Sequence, residues 1–146
     1  MKISEIMTRT PRTIGPDKSL KECARVLTQA HVNGLIVVEG EKVVGVITKA
    51  DIFKSILPSY SDILEDERHL TDFEYIEDRI HRLAEVKARD IMGTPPITVS
   101  SDMPLVKAGS LMILRRVKQL PVVDDERLSG IVTLTDIVKY FGEKVK

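Results

Sequence analysis

The sequence has no tryptophan, only three phenylalanines and three tyrosines, and a single cysteine in 146 residues. With aromatics at 4%, a core must be built mainly from Val, Ile, Leu and Ala. The lone Cys23 excludes an intrachain disulfide and fits a reducing, cytoplasmic setting. No apolar run approaches the roughly 20 residues that span a bilayer. The opening Met1-Lys2-Ile3-Ser4-Glu5 lacks the apolar stretch of a secretory signal. The eight glycines form no dinucleotide fingerprint, and the chain has no P-loop, Gly-x-Ser-x-Gly, Cys-x-x-Cys or His-Glu-x-x-His. Three histidines, His31, His69 and His81, could serve as bases, but no nucleophile is visibly paired with one. The expectation is that this is not an enzyme. A dense basic stripe is also missing, so neither nucleic acid nor a membrane is expected as a partner.

What is present suits one compact globular domain: 42% hydrophobic and 30% charged residues. The formal charge is zero but unevenly spread. Residues 57–87 hold nine acids and four bases, a balance of −5, which leaves +5 elsewhere. That excess suits a small anionic ligand better than a long polyanion.

The strongest signal is an internal duplication. A shift of 85 positions lays residues 3–54 on 88–139 without a gap. Ile6-Met7 meets Ile91-Met92, Val37-Val38 meets Val122-Val123, and Gly45 meets Gly130. Thr48, Asp51, Ile52 and Lys54 fall on Thr133, Asp136, Ile137 and Lys139. Each copy reads β-α-β-β-α. A short strand (Thr13-Ile14; Ile97-Thr98-Val99) precedes a helix. Ser19 with Glu22 makes a capping box in the first copy; Asp102 is the expected cap in the second, with Pro104 in the first turn. Two β-branched runs follow, Leu35–Val38 and Val43–Ile47, then Leu120–Val123 and Leu128–Val132, each pair joined by a polar turn. A closing helix starts after Thr48 or Thr133. The predicted fold is therefore of the α/β (α+β) class. Residues 1–56 form one repeat, 57–87 a helical acidic connector, and 88–146 the second repeat. One unit cannot cover its own sheet, so the two are expected to pack about a pseudo-two-fold axis and leave two related clefts. In the connector, Ile63, Leu64, Phe73, Ile76, Ile80 and Leu83 recur at near-helical spacing, which predicts one or two amphipathic helices ended upstream by Pro58.

The repeated Thr-x-x-Asp, Thr48 to Asp51 and Thr133 to Asp136, lies where a strand becomes a helix. It can be a stability device, an N-cap Thr with an acidic third residue. It can equally be a ligand site, with free helix N–H groups and dipole facing a phosphate and a carboxylate accepting ribose hydroxyls. The two roles are compatible. Glu77 and His81, spaced i,i+4, and His69 near Asp66 and Asp72 have metal-ligand spacing, but a solvated charged face is the simpler reading. Cys23, Met7, Met92, Met103 and Met112 read as packing residues, and Arg115 and Arg116 as an ordinary helix end.

The order and duplication of these motifs, with Gly-x-(Ile/Val)-Thr-x-x-Asp-Ile before each closing helix, resemble tandem CBS domains of the cystathionine β-synthase type. The resemblance covers the chain except 57–87 and the extreme ends. It implies a stand-alone Bateman pair that senses an adenosine nucleotide (AMP, ADP or ATP) or S-adenosylmethionine as effector, with no required cofactor. It further implies a homodimer, with a regulated protein partner also conceivable. Carried over by position, Thr133, Asp136, Lys118 and Gln119 would hold phosphate and ribose, with Ile14 and Val32 lining the adenine pocket. The mirror cleft would use Thr48, Asp51, Val99 and Val117. There Asn33 and Gly34 replace Lys118 and Gln119, so a phosphate-facing cation is missing unless Lys49 supplies it. Arg12 stands opposite Ile97, a further asymmetry. The clefts should differ in affinity. A ligand-free interaction module acting through the acidic connector is the alternative.

Overall fold

A computed structural model describes residues 1–58, 64–68 and 72–145. Ile63 and His69 lie outside the described residues. The first half contains β1 (Thr13–Ile14), α1 (Leu20–Gln29), β2 (Gly34–Glu39), β3 (Lys42–Thr48) and α2 (Lys49–Ser55). The connector carries α3 (Phe73–His81) and a 3-10 turn, Arg82–Ala84. After α4 (Ala88–Ile91), the second half contains α5 (Leu105–Arg115), β4 (Gln119–Asp124), β5 (Arg127–Thr133) and α6 (Leu134–Lys144). The α+β class and the duplicated architecture expected from the sequence are both present. No described helix is long and apolar enough to cross a membrane.

Each half is a small sheet backed by two helices. β1 runs parallel to β2, and β2 pairs antiparallel with β3. In the second half β4 pairs antiparallel with β5, and the expected strand at Ile97–Val99 shrinks to a single parallel bridge, Val99 to Val122. Both hairpins have a register shift at equivalent places, Val37/Val38 and Val122/Val123. The shift puts an extra residue opposite the strand beside Gly45 and Gly130, as in a β-bulge. Helices α1 and α5 also end alike: His31 and Arg116 take left-handed φ of 54° and 57°. Val32 and Val117 then donate backward to the carbonyls of Leu27 and Met112, at 3.2 and 3.0 Å. Ser19 caps α1 as expected, accepting from the Glu22 N–H at 3.2 Å, but the expected box is only half made, since Glu22 Oε1 accepts from Arg25 Nη2 at 3.3 Å in place of returning to Ser19. The expectation for Asp102 needs correction. Pro104 takes the cap position of α5, and Asp102 instead accepts from the Ser100 hydroxyl at 2.6 Å.

The folded halves are not the sequence repeats. Each repeat begins with an arm that packs on the opposite half, and the 85-residue offset holds bond by bond. The first arm donates from Ile3 to the Met103 carbonyl (3.0 Å) and from Ser4 to that of Ser101 (2.8 Å). The second donates from Ala88 to Lys18 (2.8 Å) and from Arg89 to Pro16 (2.9 Å). Thr8 bridges Ile131, and Gly93 bridges Val46. Ile3 and Met7 therefore belong to the core of Val99, Leu105, Met112, Leu120 and Val132, while Ala88 joins Leu20, Cys23, Leu27, Leu35 and Ile47. Burying Ile3 and Met7 contributes roughly 1.5–3 kcal/mol each and the single methyl of Ala88 less, with Ile91 and Met92 packed partly buried beside it, so each half depends on the other repeat's arm. Cys23 is a core residue, and burial pushes its thiol pKa up.

Two carboxylates fasten loops to these cores. Asp17 meets the Arg89 guanidinium at 2.8 Å, which holds its carboxyl below the ordinary range. Asp124 accepts from the Ser101 N–H (3.0 Å) and the Ser129 hydroxyl (2.7 Å), bonds that lower its pKa from 3.8. A depressed carboxyl contributes stability that is full above its unfolded pKa and is lost as pH falls through its folded one. Asp124→Asn is therefore expected to flatten the dependence of urea midpoint on pH below 3.8 while changing little of its slope above pH 5. An unchanged acid limb would remove Asp124 from the account.

Candidate functional site

The Thr-x-x-Asp pairs form reciprocal capping boxes. The Thr133 N–H donates to Asp136 Oδ2 at 3.0 Å, and the Asp136 N–H donates to Thr133 Oγ1 at 3.1 Å. Thr48 and Asp51 do the same at 2.9 and 3.2 Å. The stability reading of this motif is thus realised in both copies. It leaves chemistry to spare: among the described residues, Oδ1 of Asp136 and of Asp51 accepts no hydrogen bond. Both carboxylates are half-buried.

The strand preceding each box delivers the neighbouring residues. Gln119 faces Thr133 in the β4–β5 ladder, and the Leu134 N–H donates to the Lys118 carbonyl at 2.9 Å. Lys118, Gln119, Thr133 and Asp136 therefore lie together, with Lys118 exposed. Asn33, Gly34, Thr48 and Asp51 make the equivalent group, through the Gly34–Thr48 register and the Lys49 N–H to Asn33 carbonyl bond at 3.1 Å. The two groups abut. The Gln119 carboxamide occupies the space where a Cβ on Gly34 would stand. Its Nε2 is buried and, among the described residues, has no hydrogen-bond partner. Sequence reasoning assigned Gln119 to phosphates and missed this contact across the pseudo-two-fold axis. The 34/119 asymmetry was the available signal, because a long side chain opposite a glycine at symmetry-equivalent positions is complementary in volume.

The apolar candidates sit deeper. Ile14 is in the first-half core and Val99 in the second. Val32 and Val117, at the helix ends just described, pack against the cores of their own halves. None of the four lines the cavity to which Asp136 contributes. That cavity, about 420 Å³, is walled by Met1, Glu5 and Ile6 of the first arm and by Asp136, Lys139, Tyr140, Glu143 and Lys144 of α6. It was not anticipated, because it requires the arm exchange. Lys49 lines a different, apolar groove between α1 and α2. Glu77 and His81 are exposed on α3, and no group of three or more His, Cys, Asp or Glu is placed to hold a metal among the described residues.

With two pseudo-symmetric β-α-β-β-α units, exchanged arms and twin Thr-x-x-Asp helix starts in place, the class is defined. The CBS domain model matches twice, over residues 3–58 and 88–143, and the chain belongs to the CBS-domain family. Protein MJ1426 of Methanocaldococcus jannaschii is 34% identical over 153 residues, spanning 95% of this chain and 90% of that protein. Protein MJ1404 of the same organism is 31% identical over 146 residues, and this chain spans only 33% of its length. The CBS domain pair of protein MJ0100, solved in complex with 5'-methylthioadenosine and S-adenosyl-L-methionine, superposes with a TM-score of 0.73 at 27% identity, covering 99% of this chain and 98% of that one.

Proposed function

We propose that this chain is a regulatory ligand-sensing module that binds an adenosine nucleotide, AMP, ADP or ATP, at the cleft marked by Asp136. The observation that carries the reading is an uncommitted carboxylate oxygen at a helix start, with the exposed Lys118 held beside that start through the Leu134 N–H to Lys118 carbonyl bond. Asp136 Oδ1 can accept ribose hydroxyls, the first turn of α6 offers its dipole to a phosphate, and Lys118, exposed and one backbone bond from that turn, is the cation in reach of it. The equivalent group around Asp51 has Asn33 in place of that lysine, so it binds more weakly.

An adenosine thioether or sulfonium is the second reading, favoured by the MJ0100 pair, whose ligands share adenosine but carry no phosphate. Calorimetry on the intact chain with AMP, ADP, ATP, 5'-methylthioadenosine and S-adenosylmethionine separates the two. Under the leading reading the phosphorylated ligands bind at micromolar concentration, and Lys118→Ala weakens them about tenfold while sparing 5'-methylthioadenosine. Tight binding of S-adenosylmethionine alone transfers the site to the second reading, and no micromolar ligand among the five sinks both. Regulation needs an element whose position the ligand biases. The connector fills that role: it is held on the first half by Arg79, whose Nη2 donates to the Ser55 carbonyl at 2.7 Å, and by Leu83 and Val86 against the core.

A further inference from the structure

The walls of the cavity beside Asp136 carry three carboxylates, Asp136, Glu5 and Glu143, against two ammonium groups, Lys139 and Lys144. Lys139 is already faced by Glu143 at 4.0 Å. That balance favours hydrogen-bond donors over anions. Lys118 does not line the cavity, so a phosphate held at the start of α6 stays outside it. What remains to be seated in about 420 Å³ is a sugar and a base. Asp136 and Tyr140 are i,i+4 neighbours on one face of α6, with Cβ atoms roughly 5–6 Å apart. A ribose bonded to Asp136 therefore sets its base one turn along, against the half-buried Tyr140 ring, with Ile6 on the side of the arm.

One residue of the arm has the chemistry to read that base. Glu5 ends the 3-10 turn Ile3–Glu5, and its Oε2 accepts from the Lys2 N–H at 2.7 Å. This bond fixes the carboxylate, while among the described residues Oε1 accepts no hydrogen bond. Glu5 thus repeats the arrangement of Asp136: one oxygen serves a capping box and the other is left for a ligand. Adenine presents an exocyclic amino group as a donor, whereas guanine and hypoxanthine present an oxo oxygen at the same position. The feature belongs to this cleft alone. Moved by 85 residues, Glu5 becomes Asp90 and Tyr140 becomes Ser55. Asp90 makes the same box, accepting from the Lys87 N–H at 3.0 Å, on a side chain one methylene shorter. Ser55 offers no ring, and its carbonyl is taken by Arg79 of the connector.

We infer that Glu5 selects the base of the ligand in the Asp136 cleft, its Oε1 accepting from the exocyclic amine of adenine and turning away purines that carry an oxo group there. The inference rests on the adenosine reading and holds for both of its forms, because the nucleotide and the thioether share the base.

The test is calorimetry on the full-length chain with AMP and inosine monophosphate, which differ at that exocyclic group. If the thioether proves the tighter ligand, 5'-methylthioadenosine and 5'-methylthioinosine take their place. At the tighter site the unaltered chain should prefer the adenine ligand about thirtyfold. In Glu5→Gln the amide oxygen keeps the bond from the Lys2 N–H, and the amide nitrogen faces the base, where it suits an oxo group and opposes an amine. The adenine ligand should then bind about tenfold more weakly, and the preference should vanish or reverse. Asp90→Asn alters the same box in the other arm and should leave the preference as it was. Thermal melting checks that both variants are folded; Glu5→Ala, which should bring the two ligands level, serves if Glu5→Gln is not. Three results would overturn the assignment of Glu5 and leave the adenosine reading standing: no preference in the unaltered chain, a preference that survives in Glu5→Gln, or an equal loss in Asp90→Asn. Absence of binding by every adenosine ligand sinks the adenosine reading, and the assignment of Glu5 falls with it.

Discussion

Gly130→Ala is expected to cost about 3 kcal/mol of folding stability, and the symmetry-equivalent Gly45→Ala only about 1 kcal/mol. Both glycines lie beneath the arm from the other repeat, but different atoms cover them. A Cβ on Gly130 would stand 2.6 Å from the Thr8 carbonyl oxygen. That oxygen cannot step aside alone, because it accepts from the Ile131 N–H at 2.9 Å while the Thr8 N–H donates to the Ile131 carbonyl at 2.9 Å. Relief means lifting the arm, which draws Met7 and Ile3 from the second core. A Cβ on Gly45 would meet the Met92 side chain instead, at 2.6 Å from Sδ, 2.8 Å from Cγ and 3.1 Å from Cβ, so that a new rotamer clears Sδ and Cγ and the Cβ has only to give slightly. A thioether chain has other rotamers and moves at modest cost. Urea unfolding of the two variants measures the difference. Equal costs would mean that the arm adjusts as easily over one half as over the other, contrary to the hydrogen-bonded ladder at Thr8.

The same pair of glycines shows what could be read from the sequence and what could not. Their equivalence, like that of the two capping boxes, is local in register, and an offset of 85 residues carries it directly. Their purpose is not local. Ile6-Met7 and Ile91-Met92 are plainly duplicated, yet an apolar pair next to a repeat can pack on its own half or on the other with the same pattern. Only the placed backbone shows that Met7 lies over Gly130 and Met92 over Gly45. The misread cap at Asp102 has a comparable origin. Asp is a good cap by type, but a hydroxyl two residues upstream takes the carboxylate first, and a proline starts the helix without it. Near the site, the pairing of Thr133 with Asp136 was legible from its spacing at a strand-to-helix junction, whereas Lys118 and Gln119 came from the family resemblance, and it is the β4–β5 pairing that sets them beside Thr133. The walls contributed by Met1, Glu5 and Ile6 were not, since they arrive with the exchanged arm. The connector was legible as a helix but not as an uncovered one: spacing reports an apolar stripe, whereas burial depends on what meets it.

Asp136→Ala is expected to weaken nucleotide binding about a hundredfold, with an accompanying stability loss of only about 1 kcal/mol. The two effects come from different oxygens of one carboxylate. Oδ2 serves the capping box, and its loss frees the Thr133 N–H at the start of α6. Oδ1 is the oxygen proposed to accept from ribose, where charge-assisted bonds are worth roughly 1.5–3 kcal/mol each. Asp51→Ala provides the matched control. It breaks an equivalent box, at 2.9 Å, and should cost the same stability. Its effect on binding should be confined to the weaker cleft, where Asn33 stands in place of Lys118. Asp136→Asn completes the set, because an amide oxygen can still accept from the Thr133 N–H while the negative charge toward ribose is gone. Stability should then recover and affinity should not. Calorimetry and urea unfolding on the three variants read both quantities from the same preparations. If Asp136→Ala and Asp51→Ala lower stability equally and neither changes ligand affinity, the Thr-x-x-Asp pairs are helix caps and nothing more. If both lower affinity equally, the clefts are equivalent, and the asymmetry at Lys118 and Asn33 has no bearing on which is filled.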